Sequence, residues 1–148
     1  MVQYVGIDAD EARQRLASIG TELVPPDGDE DEYAVVARVL AENERAVRVE
    51  VEIEPPADPD TGMGAWHVNA ETEAHTVQSG TGVVEFWTPS GPVAAVLRSG
   101  VVMVVRGGEH RYRPLTAQRW AIRHSGDADA DLGTRATGRE SGPWPEIP

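Results

Sequence analysis

The chain contains no cysteine, which excludes disulfides, thiolate nucleophiles, iron–sulfur clusters and zinc–thiolate sites together. It contains no lysine either, since all 13 basic residues are arginine. Schiff-base catalysis and pyridoxal-phosphate anchoring need a lysine amine, and both fall away. Long apolar runs are also missing. The longest, Gly100 to Val105, is strand-sized and far short of the roughly 20 residues a membrane-spanning helix needs, so no membrane partner is expected. A net charge of −12 argues against a nucleic-acid partner, because phosphate recognition needs a basic surface. The opening Met1-Val2-Gln3-Tyr4-Val5-Gly6 lacks the basic and apolar regions of a secretory signal, and cytoplasmic residence is the expectation. No Gly-x-Ser-x-Gly elbow and no glycine-rich phosphate loop occur. Imidazole, carboxylate, hydroxyl and guanidinium groups remain to carry chemistry.

What is present suits a single domain of 148 residues. From Asp8 to Ile19 the apolar positions Ala12, Leu16 and Ile19 recur at helical spacing, with Asp8 or Asp10 as N-cap and Gly20 as stop. A second helix is expected from about Glu32 to Asn43. The period then drops to two. Val47, Val49, Val51 and Ile53 alternate with charged residues, the mark of a half-buried strand. Seven further strand-like runs follow between residues 66 and 124, parted by turn signals such as Ser79-Gly80 and Gly107-Gly108. The spacing predicts a β sandwich or barrel. The expected organisation is a helical segment over 1–45, a barrel over 46–125 and an irregular tail over 126–148, with Trp144 pinning the tail to the body. The acidic clusters at 27–32 and at Asp127, Asp129 and Asp131 read as solvated loops.

Three of the four histidines fall in the strand region. Strand alternation puts His67 and Asn69 on one face, and Glu73, His75 and Val77 on another. If the two runs pair as neighbours, His67, Asn69, Glu73 and His75 all point inward. A carboxylate in a barrel lumen needs a partner, because burying it alone costs several kcal/mol; a divalent cation supplies one. An inward arginine such as Arg113 or Arg119 is the rival partner for Glu73. By the same alternation Arg111 points outward and Tyr112 inward. His124 reads as a surface residue, and Trp66, Phe86, Trp87 and Trp120 as core.

The string His67-x-Asn69-x3-Glu73-x6-Gly80 resembles the first motif of the cupin superfamily, HxH, three or four residues, Glu, six residues, Gly. The stretch Ser99 to Tyr112 is similar to the second motif, with Gly107 and His110 meeting its glycine–xx–histidine ending. Together the two motifs cover about residues 61 to 124. The resemblance implies a mainly β, single-domain cupin (a double-stranded β-helix, or jelly-roll barrel) with two short N-terminal helices. It implies a metal held by His67, Glu73 and His110. Within the superfamily the chain is most similar to acireductone dioxygenases, which also place two helices before the barrel and end the second motif in a triplet like His110-Arg111-Tyr112.

Asn69 stands where the family has its second histidine, and His75 is an alternative source of that imidazole. Ser99, Gly100 and Val105 replace the family's Gly, Asp and Pro. Two histidines and one carboxylate suit Fe(II) and leave positions open for O₂ and substrate, with Ni(II), Mn(II) or Zn(II) as other metals. The implied activity is a dioxygenase acting on a small chelating organic substrate, with Asn69, His75 and Tyr112 serving the chemistry and an inward arginine orienting substrate charge. The alternatives are an O₂-independent isomerase, cyclase or lyase, and a non-catalytic small-molecule binder. A homodimer is expected by analogy.

Overall fold

Alternating sequence becomes strand throughout. The computed structural model describes residues 1–40, 47–124 and 133–147. Its elements in chain order are β1 (Gln3–Tyr4), α1 (Ala9–Ala17), β2 (Glu22–Val24), α2 (Glu32–Leu40), β3 (Val47–Ile53), a 3₁₀ turn (Gly62–Gly64), β4 (His67–Asn69), β5 (Glu73–Ser79), β6 (Thr81–Thr88), β7 (Gly91–Arg98), β8 (Val102–Val105), β9 (His110–Pro114), β10 (Gln118–His124) and β11 (Thr134–Ala136). They form a six-stranded sheet, β1-β7-β6-β9-β4-β11, and a five-stranded sheet, β2-β8-β5-β10-β3. The main core lies between them and includes Val77, Val84, Phe86, Leu97, Met103, Val105, Tyr112 and Trp120.

Both helices form where the spacing placed them. The Asp8 side chain accepts from the backbone N–H groups of Asp10 and Glu11, satisfying two of the free donors at the start of α1. That helix inserts Ala12 and Leu16 into the main core. Helix α2 starts with Asp31 accepting from the Ala34 N–H at 2.8 Å. It lays Val35 and Val39 on Ala74, Val102 and Val104, the outward residues of β5 and β8. Burying a valine stabilises by roughly 1.5–2 kcal/mol, so α2 holds the five-stranded sheet from outside. The expected continuation of α2 to Asn43 lies outside the described residues.

Three expectations need correction. Strands β4 and β5 are not neighbours: β4 pairs with β9 and β11, whereas β5 pairs with β8 and β10. Ala70-Glu71-Thr72 carries the chain from one sheet to the other, so His67 and Glu73 lie on opposite sheets and not side by side. The first 45 residues supply more than helix, because β1 and β2 join the two sheets. The tail is not irregular throughout, since β11 pairs with β4. A three-residue strand carries no periodicity to read, and an open sheet edge accepts whatever backbone reaches it.

Trp144 does pin the tail. Its indole N–H donates to Asp60 at 2.9 Å and its ring lies 4.0 Å from the Arg111 guanidinium. In the first acidic cluster, Asp27 pairs with the N-terminal amine and Glu30 with Arg38. Asp127, Asp129 and Asp131 lie outside the described residues. No helix among the described residues is long and apolar enough to cross a membrane.

Candidate metal centre

His67 and His110 are cross-strand partners on β4 and β9, the only residue pair joining those strands among the described residues. Their rings face each other with centroids 4.4 Å apart. Each is oriented by backbone: His67 Nδ1 lies 2.7 Å from the Ala65 carbonyl and His110 Nδ1 lies 2.8 Å from the Gly108 carbonyl. A carbonyl can only accept, so both Nδ1 atoms carry the proton, and the neutral ring then presents Nε2 as a lone pair. Such a backbone bond is the usual way a ligating imidazole is fixed in tautomer and direction.

The carboxylate comes from the opposite sheet. Glu73 is fully buried at the start of β5. Its Oε1 accepts from Asn69 Nδ2 at 2.9 Å and lies 4.0 Å from His110 Nε2. Its Oε2 lies 3.2 Å from His75 Nε2, within ion-pair range, yet the angles make no hydrogen bond. Glu73 Oε2 and both ring nitrogens of His75 are buried polar atoms without a hydrogen-bond partner. Leaving such atoms unpaired costs roughly 1–3 kcal/mol each, and a cation is one group that removes the cost. Burial opposes ionisation of Glu73, but His75, His110 and the Asn69 amide together outweigh it and hold the carboxyl below its usual range.

Among the described residues, no three His, Cys, Asp or Glu side chains are already drawn together as a metal-holding group. The donors approach in pairs instead: His67 with His110, His110 with Glu73, and Glu73 with His75. The donor types fit a first-row divalent ion, with imidazole nitrogens aimed by backbone carbonyls and one carboxylate oxygen left unbonded.

A cavity of about 220 Å³ opens against these residues. Val51, Ile53, Met63, Met103, Trp120 and Ile122 form its apolar wall; His67, Asn69, His75, His110, Tyr112 and Thr134 supply its polar groups. Among the described residues no arginine lines it, which corrects the expected inward arginine. Arg119 pairs with Glu52 at 2.7 Å on the exposed face of β10. Arg111 points away from the lumen as alternation requires, but it is buried, because the tail covers it. The Tyr112 hydroxyl lines the cavity yet donates to Gln118 Oε1, and burial raises its phenol above the ordinary value of 10. A Cβ at position 82 would collide with that hydroxyl, which accounts for Gly82.

His124 is buried, contrary to expectation. It sits on β10 between β3 and β5 and pairs in register with Glu73, so the alternation that turns Trp120 inward turns His124 inward as well. Trp66 and Trp87 are not part of the main core. They meet edge-on at 6.0 Å on the outer face of the six-stranded sheet, where a broader groove of about 790 Å³ holds none of the histidines. Sequence reasoning missed Thr134, Met63 and Met103. Met103 had a signal, the strand alternation through Val101, Met103 and Val105; Thr134, in a tail without periodicity, had none.

The fold of two facing sheets matches solved structures. An acireductone dioxygenase from Bacillus anthracis with a cadmium ion in its active centre superposes over 84% of this chain and 91% of its own, with a TM-score of 0.58 and 13% identity. The chain has the cupin fold. Oxalate decarboxylases from Bacillus subtilis and Lactobacillus farciminis also align with the chain. They cover 77% and 79% of it, at TM-scores of 0.47 and 0.48 and identities of 12% and 13%. The chain spans only 29% and 30% of those decarboxylases. No protein-family profile matches the sequence, and no curated protein matches it.

The titration of His110 yields one prediction. Burial, then the neighbouring His67, push its pKa down from 6.5 to about 4, against the pull of Glu73. The unfolded chain therefore binds a proton in the interval where the folded chain does not, so stability rises with pH there. His110 contributes fully above pH 6.5, and its contribution disappears as pH falls from there towards 4. The size is about 3 kcal/mol, from 2.5 pKa units at roughly 1.4 kcal/mol each. Urea titrations of chelator-treated protein at pH 7 and pH 4.5 check this, and equal unfolding free energies would contradict it.

Proposed function

We propose that this cupin is a cytoplasmic metal enzyme whose His67, Glu73 and His110 hold one first-row divalent ion, Fe(II) before Ni(II), Mn(II) or Zn(II). His75 is the further donor. The observation that carries the reading is a run of close approaches across the two sheets: the backbone-oriented His67 and His110 rings lie 4.4 Å apart, and His110 Nε2 lies 4.0 Å from the buried Glu73, whose Oε2 is left without a hydrogen bond. The acireductone dioxygenase of like fold carries a cadmium ion in its active centre, which supports a metal centre here without naming its ligands.

The proposed reaction is an O₂-dependent oxidation of a small organic molecule that chelates through two oxygens. A bound Fe(II) would supply a centre able to coordinate both O₂ and the substrate's oxygens. The protein's part is positional. Two carbonyls fix the imidazoles, Asn69 holds one oxygen of Glu73, and the apolar wall keeps bulk water from the reacting end. Among the described residues the cavity's polar lining is imidazole, amide and hydroxyl without arginine, which favours a substrate of low charge with an apolar remainder.

Oxygen uptake tests the proposal. Protein freed of metal and reloaded anaerobically with Fe(II) is expected to consume O₂ when given a small ene-diol or α-keto acid, and metal-free protein to consume none. Conversion of the substrate without O₂ would move the cupin to the isomerase, cyclase or lyase class. A protein that takes up no metal would leave the non-catalytic binding reading.

A further inference from the structure

Asn69 occupies the position at which the first motif has a histidine, and its surroundings show what it does there. Both of its polar atoms are engaged. Asn69 Nδ2 donates to Glu73 Oε1 at 2.9 Å, and Asn69 Oδ1 accepts from the Thr134 hydroxyl at 2.5 Å. Only one direction is consistent along this chain of bonds. An ionised carboxylate accepts, so the amide must turn its NH₂ towards Glu73; its carbonyl then faces Thr134, whose single O–H must donate. Thr134 reaches this place because β11 pairs antiparallel with β4, setting Thr134 opposite Asn69.

The relay has a geometric consequence. With Oε1 tied to the amide, rotation of the Glu73 carboxylate is restricted and Oε2 is the oxygen left without a hydrogen bond, on the side of His75. We infer that Thr134 and Asn69 are positioning residues that set the Glu73 carboxylate for metal binding, so that the C-terminal strand completes a centre whose donors all lie elsewhere in the chain. The inference rests on the metal reading proposed above. It assigns Asn69 to orientation and not to ligation, and leaves His75 as the additional imidazole.

Thr134 suits a clean test. It lies at the cavity mouth on an exposed strand, so a change there removes little packing. Valine keeps its branched shape and removes the hydroxyl; serine keeps the hydroxyl. Co(II) is the probe, read by its visible absorption and by competition with a chromophoric chelator. Loss of an outer hydrogen-bond partner of a metal ligand typically weakens metal binding by about 10–100-fold. Thr134→Val is expected to bind Co(II) more weakly by that factor and with an altered spectrum, Thr134→Ser to restore both, and the metal-free proteins to melt together. Thr134→Val with the affinity and spectrum of the wild type would overturn the inference while leaving the metal reading standing. A wild type that binds no Co(II) would overturn the metal reading and the inference with it.

Discussion

Replacing His110 with alanine is expected to abolish stable metal binding while leaving both sheets folded. The side chain is 4% exposed, its Nδ1 is held by the Gly108 carbonyl, its ring lies 4.4 Å from that of His67 and its Nε2 lies 4.0 Å from Glu73. It is the donor that links the two sheets' contributions. Its loss separates His67 from the Glu73–His75 pair, so the effect should exceed the roughly 10–100-fold that follows removal of an outer partner of a ligand. The fold should tolerate the change. The imidazole touches the main core only at its edge, with its ring 5.5 Å from that of Phe86, and the void it leaves joins an existing cavity. The check is metal content by mass spectrometry after Fe(II) or Co(II) loading and gel filtration, beside circular dichroism. Folded His110→Ala protein holding one equivalent of metal as tightly as the wild type would falsify the proposed ligand set.

The second large effect is expected on the outer face. Arg111, 1% exposed, donates to Glu85 at 2.9 Å and to the carbonyls of Gly142 and Pro143 at 3.0 and 3.2 Å. Its guanidinium lies between the Trp66 and Trp144 rings at 5.1 and 4.0 Å. Five acceptor and ring contacts converge on one planar group. Arg111→Ala leaves Glu85 buried without its cation, and breaking such a pair costs about 3–5 kcal/mol. For a chain of this length that corresponds to a fall in melting temperature on the order of 10 °C. Arg111→Lys should recover little, because an ammonium cannot reproduce the flat fork that reaches two carbonyls and stacks on two rings. Differential scanning calorimetry checks both variants, and a lysine variant as stable as the wild type would contradict the argument. Since Trp66 and Arg111 directly adjoin His67 and His110 in sequence, the tail clasp outside and the candidate site inside share β4 and β9. Released tail in Arg111→Ala should also become sensitive to proteolysis beyond residue 133.

The two motifs were legible because each is local. His67, Asn69 and Glu73, or Gly107 and His110, can be read within a dozen residues, and their turns and strands obey rules of neighbouring residues. The inward face of β5 was legible in the same way, from Glu73, His75 and Val77 alternating. His124 was misjudged because its position at the end of a run suggests exposure, whereas a strand flanked by β3 and β5 buries its ends along with its middle. Arg111 was placed on the correct side of its strand, but its burial was invisible, since the residues that cover it lie about 30 positions away in a segment with no periodicity.

By itself the sequence determined the positions of the two helices and of the strands between residues 47 and 124, the absence of thiol and amine chemistry, and the inventory of imidazoles and carboxylates. These follow from composition and from periods of two and 3.6 residues, which any stretch of chain expresses locally. Only the tertiary structure decided that β4 and β5 belong to opposite sheets, that no arginine among the described residues enters the cavity, and that a threonine from β11 meets Asn69. Those facts depend on which strands pair, and pairing is settled by burial summed over the whole chain, a quantity that no single segment contains.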